Sequence, residues 1–157
     1  MCGRFTVKAT WAELVAMYRL TMDAPPHNLR PRYNVCPTDP VDVVTAERRL
    51  VTMRWGLVPW WWSKPLKELR MATFNARAET VETKPVFRDA FKRTRCLIPM
   101  SGYYADRMPV FLTEQQFGPW LSGEAGAEYL KPAPDDHLQR WPVSKRVIRK
   151  PMQTIPR

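Results

Sequence analysis

Val41-Asp42-Val43-Val44-Thr45-Ala46 and Leu50-Val51-Thr52-Met53-Arg54-Trp55 flank a polar break at Glu47-Arg48. Both flanks are rich in β-branched residues, and the break offers nothing for a core. This is the pattern of two strands joined by a tight turn. Working outward, Cys2 to Val7 reads as a further short strand. Thr10-Trp11-Ala12-Glu13 forms a capping box, with Glu13 three positions after Thr10. Trp11, Leu14, Val15 and Tyr18 then recur at helical spacing, which predicts a helix from about Trp11 to Arg19 with these side chains in the core. Pro25, Pro26, Pro31, Pro37 and Pro40 make residues 23–40 an extended loop. Downstream, Pro85 to Phe91 suits one or two helical turns, and Cys96 to Tyr104 a strand broken at Gly102. Thr113 to Leu121 suits a short helix carrying Phe117, Trp120 and Leu121. The expected architecture is α+β, a β-rich core with short peripheral helices. Residues 1–145 form one domain, and residues 146–157 a basic, irregular tail.

Composition narrows the function. A chain of 157 residues with 45% hydrophobic content is long enough to bury a core without disulfides. Its net charge of +10 points to an anionic partner, with nucleic acid ahead of a membrane surface. Most of the excess lies in residues 1–100, which hold 17 Lys and Arg against 9 Asp and Glu. Three cysteines, Cys2, Cys36 and Cys96, form no Cys-x-x-Cys pair. That argues against a zinc site or a disulfide framework, and suits a reducing cytoplasm. No stretch approaches the roughly 20 apolar residues of a membrane span, and the N-terminus lacks the layout of a signal peptide.

Three blocks carry chemistry. In Met1-Cys2-Gly3-Arg4, removal of Met1 would leave Cys2 with a free α-amine beside its thiol. The amine titrates at about 7.7–8.0 and the thiol at about 8.5, so both have reactive forms near neutrality. Such an aminothiol condenses with an aldehyde and closes a thiazolidine ring. A cysteine at the second position can equally be an accident. Trp60, Trp61 and Trp62 follow one another, and three consecutive indoles cannot all enter one core. With Lys64 and Lys67 close by, exposed rings here suit single-stranded nucleic acid, whose bases stack and whose phosphates pair with cations. Asn75, Arg77 and Glu79 alternate, so an extended chain would face them one way. Structural hydrogen bonding would explain them as well.

Taken together, Met-Cys-Gly-Arg-Phe at 1–5, Arg-Tyr-Asn at 32–34, Arg-Trp-Gly-Leu-Val-Pro-Trp-Trp at 54–61, Asn-Ala-Arg-Ala-Glu-Thr at 75–80 and Cys-Leu-Ile-Pro-Met-Ser-Gly-Tyr-Tyr at 96–104 resemble the SOS-response-associated peptidase (SRAP) family. Members are abasic-site sensors that crosslink themselves to single-stranded DNA. The resemblance implies a SRAP-like fold in which Cys2 forms the thiazolidine with the ring-opened sugar aldehyde. Asn75 would hold the sugar, Arg4 and Arg77 the flanking phosphates, and Trp60, Trp61 and Trp62 would wedge or stack at the lesion. It further implies peptidase activity that exposes Cys2, lyase-type chemistry, no metal or other cofactor, and a monomer in the cytoplasm that joins the nucleoid when DNA is damaged. A non-covalent single-stranded DNA-binding module, or an inactive shortened paralogue, is the alternative.

One departure bears on the chemistry. In the family, Ser-Gly-Tyr-Tyr leads directly to a catalytic Glu, and a long segment then ends in a His before an Arg-Met-Pro block. Here Tyr104 is followed by Ala105 and then Asp106-Arg107-Met108-Pro109. The chain resembles a member with an internal deletion that removes several central strands and both acid/base partners of Cys2.

Overall fold

The computed structural model describes residues 3–104 and 108–133, together with 138, 139 and 142. Cys2, Ala105 and the basic tail expected over 146–157 lie outside the described residues.

The hairpin forms where the β-branched runs predict it. Strands β3 (Pro40–Val44) and β4 (Leu50–Arg54) pair antiparallel from Pro40 opposite Arg54 to Val44 opposite Leu50. The turn closes with the Arg48 amide donating to Thr45 O at 3.0 Å and the Thr45 amide to Arg49 O at 3.0 Å. A second sheet has the order β2-β1-β5, all antiparallel, from β1 (Arg4–Val7), β2 (Arg32–Val35) and β5 (Gly102–Tyr104). Phe5 lies opposite Val35 on one side and Tyr103 on the other.

Helix α1 (Trp11–Tyr18) starts with the expected capping box: the Thr10 hydroxyl accepts from the Glu13 amide while the Glu13 carboxylate accepts from the Thr10 amide. Leu14 and Tyr18 are buried, and Trp11 and Val15 pack at the margin of the same cluster. Helix α2 (Pro85–Arg93) takes Pro85 in its first turn, where the missing N–H costs nothing. Helix α3 (Glu114–Ser122) crosses α1, with Phe117 stacked on Tyr18 at 5.0 Å. Arg95 is held between the rings of Phe91 and Trp120, 4.4 and 4.5 Å from their centroids.

Two expectations are corrected. The loop predicted over 23–40 contains β2. Pro31 and Pro37 flank this strand rather than interrupt it. At the edge of the sheet β2 leaves one side of its backbone unpaired, which tolerates flanking prolines, and Val35 alone of its four residues is buried. The strand predicted over Cys96–Tyr104 is confined to Gly102–Tyr104. Leu97 makes an isolated bridge to Val44, and the chain then crosses to β1, where the Ser101 amide donates to Thr6 O at 2.8 Å. Pro99, with no N–H to offer a ladder, sits in that crossing.

The core falls into two clusters. Leu14, Tyr18, Leu20, Val44, Leu50, Leu97, Phe117 and Leu121 join α1 and α3 to one end of the hairpin. Phe5, Val35, Val41, Val43 and Trp55 fill the space between the two sheets. Among the described residues, no helix is long and apolar enough to cross a membrane.

Candidate nucleic-acid interface

Trp55 organises the second cluster. Phe5 meets it edge-on at 4.9 Å and Phe74 at 6.0 Å, and its indole N–H donates to Phe74 O at 3.1 Å. Val35 is buried in the same cluster, with Cys96, Ile98, Met100 and Tyr103 packed against it. Three of the five sequence blocks thus supply side chains to one cluster around a buried indole, and the other two adjoin it through their neighbours Val35 and Phe74. It fixes Phe5 beside Arg4, Phe74 beside Asn75, and the root of the tryptophan run.

From Trp55 the chain turns at Gly56, where φ is +136° and an added Cβ would meet the Arg54 guanidinium at 2.5 Å. Only glycine fits this conformation comfortably. The turn carries Trp60 and Trp61 outward, 79% and 44% exposed, whereas Trp62 is half-buried. The Trp60 indole donates to Asp89 Oδ2 at 2.8 Å, which docks the ring against α2. Between the Leu57–Trp60 segment and α2 lies an open concavity of about 560 Å³. Trp60, Asp89, Arg88 and Arg93 line it beside Pro59 and Val86. An exposed indole next to two guanidiniums can stack a base and hold its phosphate. Arg88 and Arg93 escaped the sequence reading. The signal that would have found them is the series Lys84, Arg88 and Lys92 at i, i+4 and i+8, with Arg93 in the last turn.

The remaining predicted residues are more dispersed. Arg4 is buried on the face of β1 opposite Phe5. It donates from Nη1 to Asn34 Oδ1 at 2.9 Å and to Cys36 Sγ at 2.8 Å. Asn75 is half-buried in a segment tied to the tryptophan run by the Leu57 amide, which donates to Thr73 O at 3.2 Å. Arg77 is exposed and precedes the 3₁₀ turn Ala78–Thr80. That turn breaks the alternation expected of Asn75, Arg77 and Glu79, so Glu79 does not continue their row. Burial raises the Cys96 thiol above its ordinary pKa and keeps it protonated near neutrality. Among the described residues, no group of three His, Cys, Asp or Glu side chains is placed to hold a metal.

The sequence model of one family, SOS response associated peptidase (SRAP), matches residues 1–105. The abasic site processing protein YoaM of Bacillus subtilis is 33% identical over 107 residues, covering 66% of this chain and 46% of YoaM. YedK of Escherichia coli, named likewise, is 27% identical over 153 residues, covering 83% of this chain and 66% of YedK. The alignment with HMCES of Pongo abelii, 30% identical, runs over 158 positions yet uses only 81% of this 157-residue chain and 44% of HMCES. Residues present in that relative are therefore absent here. The chain spans about half the length of the curated Bacillus relatives it matches. A crystal structure of a protein from Bacteroides thetaiotaomicron shares the fold at a TM-score of 0.72, with 20% identity over 86% of this chain and 89% of that one. One from Bordetella bronchiseptica follows at 0.61, with 18% identity over 86% and 96%.

Proposed function

Since the chain belongs to the SOS response associated peptidase family, we propose that it recognises abasic sites in single-stranded DNA and captures them covalently through Cys2. The observation that carries this reading is Trp60, exposed beside Arg88 and Arg93 on a segment rooted at Trp55, where three of the motif blocks pack together. Names of the relatives, abasic site processing proteins, support the same substrate.

The chemistry balances without a cofactor. The Cys2 amine adds to the sugar aldehyde and expels one water, giving an imine. The thiol sulfur then bonds to the imine carbon while its proton passes to nitrogen, closing the ring. Arg4, two residues on, contributes a permanent positive charge that favours both thiolate and phosphate. Asn75 orients the sugar and Arg77 pairs with a flanking phosphate, while Trp60 and Trp61 stack on neighbouring bases. With Ala105 where the family carries its Glu, general acid/base assistance is lost, which slows capture by about 10²–10⁴-fold. The same loss makes an aminopeptidase, rather than self-cleavage, the route by which Met1 leaves.

The test is a denaturing gel of the protein incubated with a single-stranded oligonucleotide carrying one abasic site. A shifted band that vanishes in Cys2→Ala is the expected result. No band from folded protein shown to begin at Cys2 would rule the reading out for this chain.

A second reading, non-covalent binding of single-stranded or damaged DNA, is favoured by the exposed tryptophans and basic α2, neither of which needs the absent segment. Its affinity must fall steeply with salt, because neutralised phosphates release counterions. Salt-independent binding would exclude it.

A further inference from the structure

Alternation along β1 turns Arg4 and Thr6 to one face and Phe5 and Val7 to the other. On the Phe5 side the molecule holds a cavity of about 270 Å³, separate from the surface carrying Trp60. Its walls are apolar: Phe5, Val7, Leu14, Leu29, Val41 and Pro99. Its polar lining is more accessible: His27, Asn28, Arg30 and Thr52 are exposed, and Arg32 and Asp42 half-buried. The lining is therefore apolar where it is buried and polar or charged where it is exposed, the layout of a site for a molecule with two unlike ends.

Charge at the rim is not balanced. His27 Nε2 meets Asp42 Oδ1 at 2.8 Å, and the Thr52 hydroxyl donates to the same oxygen at 2.8 Å. Arg32 pairs with Asp39 at 3.5 Å. Among the described residues, these pairs involve every charged lining group except Arg30. We propose that the cavity binds a small amphiphilic carboxylate, its apolar body between Phe5, Leu14 and Val41 and its head at Arg30. The volume lies just below the range of about 300–1,000 Å³ of ordinary ligand pockets, which limits the body to a short acyl chain or a single ring. A neutral or cationic amphiphile of equal length gains nothing from Arg30.

Octanoate, octanol and octylammonium provide the test, each titrated into the full chain and followed by methyl NMR. Octanoate is expected to shift the methyl signals of Val7, Leu14, Leu29 and Val41 saturably at one site. Octanol should bind more weakly and octylammonium not at all. Arg30→Glu, an exposed change that leaves the fold intact, should weaken octanoate about tenfold or more, the loss expected of a charge-assisted contact. Ala9 also lines the cavity, so Ala9→Leu, which narrows it, should abolish saturation; if that variant does not fold, Arg30→Glu alone decides. No saturable shift with octanoate, equal binding of all three probes, or indifference to Arg30→Glu would overturn the proposal.

Discussion

Trp60 presents most of its ring to solvent while Asp89 anchors its N–H, so the indole is both exposed and oriented. A side chain held this way loses little freedom when a base stacks on it. Trp60→Ala is expected to cost about 1–3 kcal/mol in affinity for single-stranded DNA, read by fluorescence anisotropy, with the thermal midpoint unchanged. His27 gives a pH prediction. Its pKa is raised, chiefly by the hydrogen bond to Asp42 and then by the one to Asn28 O. A folded-state value above the ordinary 6.5 means that the folded chain holds the proton more tightly. The stabilisation is full below 6.5 and disappears as pH rises through the raised value. Because the pair is exposed, its size is under about 1 kcal/mol. Denaturation of the native chain and of His27→Gln should therefore differ at about pH 5.5 and converge at about pH 8.5. The exposed indoles were legible because three in a row exceed what one core can take. The burial of Arg4 was not, since Cys36, 32 positions away, reaches it only through a strand hidden in a proline-rich stretch.

Helix α1 spans eight residues, too few to persist alone in water. It persists because Thr10 and Glu13 satisfy its first turn and because Leu14 and Tyr18 bury against α3 and the hairpin. The Glu13 carboxyl titrates below its ordinary value because it accepts from the Thr10 backbone and hydroxyl. Thr10→Ala should cost about 1 kcal/mol, within the 0.5–2 range of such caps, seen as a lower urea midpoint with an unchanged slope. A larger loss with a changed slope would mean that the helix organises more than its own turn. Local signals wrote the hairpin and α1 into the sequence: β-branched runs, a polar break, a capping box. Strands β2 and β5 are four and three residues long, and pairing with β1 rather than local pattern makes them strands. Pro31 and Pro37, read as loop punctuation, mark where the chain enters and leaves β2.

At the scale of the whole molecule, three of the five blocks that carry the family resemblance pack around Trp55, and the other two adjoin that cluster. The sequence could show their order, and only the fold could show their convergence. The family match ends at Ala105, where the sequence departs from the pattern, and the HMCES alignment independently requires residues that this chain lacks. What the sequence retains is Cys2, and the structure adds an exposed Trp60 beside Arg88 and Arg93. The central claim is that Cys2 acts through its amine and its thiol together. Intact-mass measurement after incubation with an abasic single-stranded oligonucleotide tests it, on protein beginning at Cys2 and on protein with an untrimmable residue before it. The account predicts a heat-stable adduct equal to protein plus oligonucleotide minus one water for the first, and none for the second. A heat-stable adduct from the blocked protein, or its absence from the protein that begins at Cys2, would contradict it.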